Sequence, residues 1–116
     1  MQHNFRELNI WKSSIELVKM VYLLTKELPS EEKFGLISQI NRCSVSIPSN
    51  IAEGTGKSSE KELMHFLNIA ISSSYELETQ LILVKDIFNI KIDELIEKIN
   101  TLQKMINGFK KKLNKI

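Results

Sequence analysis

Apolar positions recur along this chain at intervals of three and four residues in four blocks, the period of one face of an α-helix and not the alternation of a strand. In the first block Leu8, Trp11, Ile15, Val18 and Tyr22 form the stripe, with Leu17, Val21, Leu24 and Leu28 widening it. Lys12, Glu16, Lys19 and Lys26 take the other side. Pro29 and Ser30 end this helix, because the residue before a proline is pushed out of the helical region, and Ser30 can cap the next. The second block, about residues 31–53, is anchored by Phe34, Ile37, Ile40, Ile47 and Ile51. Pro48 has no N–H for the carbonyl of Ser44 and its ring crowds that carbonyl, which predicts a kink or a restart there. Gly54-Thr55-Gly56 closes the block as a turn.

Ser59 followed by Glu62 is a capping-box pattern and sets the third helix start near Ser59. From there Leu63, Leu67, Ala70, Ser74, Leu77, Leu81, Val84 and Phe88 alternate spacings of four and three, a helix of about 45 Å at 1.5 Å per residue. Residues 89–92 make a turn, Asp93 can cap, and Leu95, Ile99, Leu102, Ile106, Phe109 and Leu113 carry the fourth stripe. No β-rich alternating segment remains. Four amphipathic helices with short connections predict an all-α fold, an antiparallel up-down-up-down four-helix bundle, and the sustained 3-4 spacing favours near-parallel, left-handed packing.

Composition narrows the picture without changing it. With 116 residues, 42% of them hydrophobic, the chain should bury about two-thirds of its extended surface and expose about 6,500 Å². That suffices for one core, so residues 1–116 read as a single domain. The net charge of +2 and pI near 8.7 are only mildly basic, and any nucleic-acid function has to be argued from where the charges sit. The one cysteine, Cys43, excludes an intrachain disulfide and a Cys-rich zinc site. It reads as a small apolar core residue. The first residues have no apolar leader and no run approaches a membrane span, so a cytoplasmic protein is expected.

One stripe is not what a plain bundle requires. Gln39, Arg42, Ser46, Asn50 and Glu53 share roughly one face of the second helix, where a mere solvent face would be rich in Lys and Glu. Ser46, Ser49 and Asn50 are short polar groups able to serve backbone freed by the proline. On the third helix Ser72-Ser73-Ser74 permit close approach, followed by Glu76, Glu78 and Gln80. The expectation is a hydrogen-bonded seam in which Arg42 pairs with Glu76, since Arg is the preferred partner of a desolvated carboxylate.

The strings Leu28-Pro29, Glu32-Lys33-Phe34-Gly35-Leu36, Gln39-Ile40, Arg42, Ser46-Ile47-Pro48-Ser49-Asn50-Ile51-Ala52-Glu53-Gly54, Phe66-Leu67-Asn68-Ile69-Ala70 and Glu76-Leu77-Glu78 closely resemble the four-helix-bundle proteins of the 23S ribosomal RNA intervening-sequence family. That family is named for reading frames lying in insertions within 23S rRNA genes, and it is similar to the accessory protein of diversity-generating retroelements. The resemblance covers nearly the whole chain. It implies a homopentamer, a basic surface proposed to contact nucleic acid, and no established enzymatic activity. The family commonly has Gly at the position of Ser73, which should hold the neighbouring helix slightly farther off here.

Several residues invite a chemical reading. Glu62 and His65 form one Glu-x-x-His, but a di-iron bundle needs two such pairs with further glutamates, and the other histidine, His3, lies near the N-terminus. No metal or other cofactor is expected, and an exposed first-turn histidine is the plain reading. Ser44, Ser46 and Ser49 have no neighbouring base to make a nucleophile. Gly56-Lys57-Ser58 lacks the preceding glycine of a phosphate-binding loop, the fifth position before Gly56 being Ile51, and joins two helices. The chain is therefore expected not to be an enzyme.

Lys110, Lys111, Lys112 and Lys115 suit a helix C-terminus through the macrodipole. Joined by Arg6, Lys57 and Lys61 around a ring of subunits, they could equally make a phosphate-binding rim for RNA or DNA. No aromatics are interleaved, so stacking is not indicated. Apolar Ile10, Leu23, Met64, Ile71 and Ile82 lie off the main stripes, more than one chain needs, and some should sit between subunits. The reading is a self-assembling, non-enzymatic scaffold. The alternatives are an adaptor for a protein partner without nucleic acid and, least favoured, a metal-dependent enzyme using Glu62 and His65.

Overall fold

The computed structural model describes residues 3–113. A one-turn 3₁₀ helix, Phe5–Glu7, leads into α1 (Asn9–Thr25); a second short turn, Ser30–Glu32, leads into α2 (Leu36–Thr55), followed by α3 (Glu60–Phe88) and α4 (Asp93–Leu113). Each helix touches its two neighbours in the cycle α1-α2-α3-α4, and neither diagonal pair meets. Direction follows from cross-helix partners. On α2 and α3, Cys43 bonds Ser73 while Gly54 lies against Leu63 and Phe66. On α3 and α4, Gln103 bonds Ser74 while Leu113 lines a cleft with Lys61 and His65. The start of α1 shares a cleft with Met105, Gly108 and Phe109 near the end of α4. Neighbouring helices are therefore antiparallel, in a bundle 47 × 23 × 20 Å.

The third and fourth stripes form the core as their spacing predicts: Leu63, Leu67, Ala70, Leu77, Leu81 and Val84 meet Leu95, Ile99, Leu102 and Ile106. Ser59 Oγ accepts the Glu62 N–H at 3.1 Å and donates to its carboxylate, also at 3.1 Å, so the capping pattern fixes the α3 start. Asn89, in the left-handed region at φ 56°, ends α3, a conformation that Asn tolerates better than most residues.

The first two helices depart from expectation in phase and in bounds. On α1 the fully or nearly buried line is Ile10, Ser14, Leu17, Val21 and Leu24, continued by Leu28, while Leu8, Trp11, Ile15 and Val18 are half-buried and Tyr22 is exposed. Two 3-4 stripes run side by side on this helix, and a serine in the inner one disguises it. Ile10 and Ile71 are core residues, not spare ones. The helix also stops at Thr25, earlier than Pro29 requires; Glu27 and Leu28 continue as tight turns onto the carbonyls of Leu24 and Thr25. Phe34 is not an anchor: it is 90% exposed, because α2 begins only after Gly35, whose φ −111° and ψ −107° interrupt any helical register from residue 31. Ser30 belongs to the short turn, whose first position is taken by Pro29 without a side-chain cap.

Pro48 neither stops nor restarts α2, which runs unbroken from Leu36 to Thr55 with the proline ring buried. Small hydroxyls line the core without cost elsewhere, because each bonds a carbonyl of its own helix: Ser14 to Trp11, Ser44 to Asn41 and Ser74 to Ile71, at 2.6–2.9 Å. The chain exposes 7068 Å², more than the roughly 6,500 Å² typical of a monomer of its mass. The excess accompanies an elongated shape and large exposed side chains such as Leu23, Ile82 and Ile87. None of the described helices is long and apolar enough to cross a membrane.

Glycine positions separate packing from propensity. A Cβ at Gly54 would lie 2.9 Å from Phe66 Cβ and 3.0 Å from Leu63 Cδ1, whereas one at Gly108 meets nothing within 4 Å. Gly54→Ala is expected to cost about 1–3 kcal/mol through overpacking. Gly108→Ala is expected to gain about 0.5–1 kcal/mol by removing a glycine from a helix interior. Urea unfolding of the two variants checks the opposite signs.

Candidate functional site

The polar stripe faces α3, and the structure shows which of its members are used. Ser46 Oγ lies 2.8 Å from Ser73 Oγ, and Asn50 Nδ2 donates to the Ser46 carbonyl at 2.8 Å and to its hydroxyl at 3.0 Å. Cys43 Sγ donates to the Ser73 carbonyl at 3.1 Å. The seam across α2 and α3 is therefore built on Ser46, Asn50 and Cys43 against Ser73. Instead of merely spacing the helices, the Ser73 side chain makes a direct bond between them.

Arg42 and Glu76 do not pair. Both are exposed, and among the described residues Lys19–Glu16 is the one ion pair, at 3.4 Å. Full hydration removes the reason for pairing: an exposed pair gains little beyond the side-chain entropy it costs. Gln39 and Glu53 also stand in solvent. Gln39, Arg42 and Glu76 nonetheless line one open cleft of about 550 Å³ with Phe34, Cys43 and Ser73. Burial, then the nearby Glu76 carboxylate, push the Cys43 thiol from 9.0 up to about 12. A thiol held protonated is a core group and a poor nucleophile.

A second polar seam, not anticipated from the sequence, joins α3 to α4. Gln103 Nε2 donates to Ser74 Oγ and to Glu78 Oε1, both at 3.1 Å, while Asn100 Nδ2 reaches Glu78 Oε1 at 3.3 Å and Gln103 Oε1 at 3.1 Å. The available signal was Asn100 and Gln103 three apart on α4, opposite Ser74 and Glu78 four apart on α3.

The basic residues are brought together by topology. The antiparallel order places the start of α1, the end of α2, the start of α3 and the end of α4 at one end of the bundle. Arg6 lies there over the Phe5 ring at 4.4 Å, and Lys57 Nζ stands 5.2 Å from the Phe66 ring centre. Lys61 shares a cleft with Leu113, and Lys112 shares one with Glu7 and Leu8. Arg6, Lys61, Lys111 and Lys112 are exposed, and Lys57 and Lys110 half-buried. Lys115 lies outside the described residues. Glu7 and Glu60 stand among these cations, so the end is basic but mixed.

Glu62 is committed to the first turn of α3, with Ser58 and Ser59 on its carboxylate, and His65 is exposed beside Phe66. Among the described residues no three His, Cys, Asp or Glu side chains gather as metal ligands would.

Two measurements follow from this geometry. Arg42→Met should change stability by less than about 0.5 kcal/mol, as surface substitutions do. Gln103→Leu, which leaves Ser74 and Glu78 short of a partner, should cost about 1–2 kcal/mol; chemical denaturation compares them. A thiol raised from 9.0 to about 12 carries far less thiolate at pH 8. Cys43 in the folded chain should thus react with a disulfide reagent at least about tenfold more slowly than in urea. The same shift favours the folded state below pH 9, a contribution that disappears as pH rises from 9 towards 12.

A family described as 23S rRNA-intervening sequence protein matches residues 6–108, a span that takes in α1, α2, α3 and α4 as far as Gly108. No curated protein matches the chain.

Proposed function

The chain belongs to the 23S rRNA-intervening sequence protein family, and from that premise we propose that it is a non-enzymatic bundle that assembles with copies of itself, as a homopentamer, into a cytoplasmic interaction scaffold whose basic rim binds nucleic-acid backbone. The observation that carries this reading is the gathering of Arg6, Lys57, Lys61 and the α4 lysines at one end of an antiparallel bundle. One chain offers only a few cations set among glutamates, so binding by a single copy is weak. Repetition around an oligomer raises the effective local concentration of sites and turns a modest charge into a useful one. Contact is to phosphates: the Phe5 and Phe66 rings at this end are already covered by Arg6 and Lys57, and phosphate contacts carry no sequence information by themselves. RNA and DNA are both accommodated by this chemistry.

A second reading, an adaptor for another protein, is favoured by one observation, Phe34 at 90% exposure on a short turn. A large aromatic left in water is the kind of side chain that anchors protein interfaces.

Changing Lys110, Lys111 and Lys112 together to Gln should weaken binding to both RNA and DNA and flatten its dependence on salt. The logarithmic slope should fall by up to about 0.7–0.9 for each phosphate that is no longer neutralised. Helix content and oligomer mass should stay as they are. Fluorescence anisotropy with labelled oligonucleotides across a salt series reads this directly. An unchanged slope would assign the lysines to the helix terminus alone and favour the adaptor.

A further inference from the structure

We infer that the cleft between α2 and α3 takes one unpaired guanine base, with Phe34 stacked on it and Arg42 and Glu76 reading its two edges. This rests on the nucleic-acid reading above and adds the sequence information that phosphate contacts lack. The cleft, about 550 Å³ and open to solvent, is lined by both helices and by Phe34 on the turn before α2, a size within the usual range of small-ligand sites. Part of its floor is already satisfied, since Ser46 and Ser73 bond each other and Cys43 bonds the Ser73 carbonyl. Its rim is not. Arg42 and Glu76 are exposed and in no ion pair among the described residues. The next residue of the same α3 stripe, Gln80, is nine-tenths buried, and its Oε1 has no hydrogen-bond partner among the described residues. The groove beyond Glu76 is thus short of a donor.

These groups define what fits. Phe34 is 90% exposed, with the Lys33 ammonium 5.5 Å from its ring centre, so one face carries a cation and the other is free for a flat partner. Every base offers such a face, and the edges decide among them. Guanine has two adjacent acceptors, O6 and N7, on one edge and two adjacent donors, N1–H and the exocyclic amine, on another. The acceptors match the forked guanidinium of Arg42, and the donors match the two oxygens of the Glu76 carboxylate. In adenine, cytosine and uracil every edge donor has an acceptor beside it, which would set a lone pair against that carboxylate.

The edge offered to Glu76 is the one that guanine uses in base pairing, so the base must come from a single strand, a bulge or a free nucleotide. Unpaired bases of this kind are the ones that proteins splay out, stack on aromatic rings and read by hydrogen bonds. Arg42 stands about 18 Å along α2 from Gly54 at the basic end. A strand whose phosphates lie on the rim therefore passes onto the α2/α3 wall within a few nucleotides. Phe34 then serves a base instead of a protein partner.

Two short labelled RNAs, one all uridine and one with a single central guanosine, test the site by fluorescence anisotropy at low salt. The guanosine strand should bind roughly tenfold more tightly, the discrimination of one bidentate base contact. Inosine in its place, which lacks the exocyclic amine, should lose most of that gain. Glu76→Gln and Arg42→Lys should each bring the two strands level. Arg42→Lys keeps the charge and removes the fork, so its salt slope on the uridine strand should be unchanged. Both side chains are exposed, and helix content should stay as in the wild type. GMP in excess should also level the strands. If the strands bind alike while calorimetry shows GMP binding to the wild type and not to Glu76→Gln, the guanine in the cleft is that of a free nucleotide. A guanosine preference that survives both variants, or equal binding of the strands with no heat from GMP, overturns the guanine cleft while the phosphate rim stands. Failure of both strands to bind, with no heat from GMP, overturns the rim as well.

Discussion

At Gly54 the α2 backbone lies so near α3 that a methyl group would come within 2.9 Å of Phe66 Cβ, and the placement of the rest of the molecule follows from that approach. Closeness at this end continues towards the middle, where Ser73 offers its carbonyl to Cys43 and its hydroxyl to Ser46. Small residues let two helices approach; the polar atoms enclosed by that approach then need partners, because buried polar groups left unpaired are costly. The stripe on α2 supplies them. Where it meets α3 its members are the short Ser46 and Asn50, a consequence of helix separation, while Gln39, Arg42 and Glu53 stand in solvent.

The α3/α4 contact solves the same problem differently. There the spacing is bridged by longer amides, Gln103 and Asn100, converging on Glu78 and Ser74. Two short-range seams on either side of α3 make it the structural spine, and α1 completes the cycle mainly through apolar contact. This division explains why α1 can carry a second apolar stripe on its outside: its inner face is satisfied by Ile10, Leu17, Val21 and Leu24, and the remaining apolar positions are free to serve another surface.

Periodicity made the number, order and direction of the helices readable, because a 3-4 stripe leaves no comfortable alternative and short connections force neighbours to run antiparallel. On α3 it identified most of the buried face as well, Leu63 to Val84, but not Ile71 beside it. On α1 two apolar stripes compete, and Ser14 at a core position lowered the apparent quality of the true one; a hydroxyl that bonds its own helix is invisible to a hydrophobicity count. Arg42 and Glu76 illustrate a different limit. Spacing places both on facing helices, but whether charges pair depends on how much water reaches them, which only the packed structure shows. The basic end, by contrast, was legible once topology was known, since antiparallel order alone brings residues near positions 6, 57, 61 and 111 together.

Cys43 is the chain's one thiol, and it is enclosed between α2 and α3 with its proton directed to a backbone carbonyl. Disulfide formation proceeds through an accessible thiolate, which the 6% exposure of Cys43 disfavours in the folded chain. A disulfide is therefore no part of any association between copies, which responds instead to concentration and ionic strength.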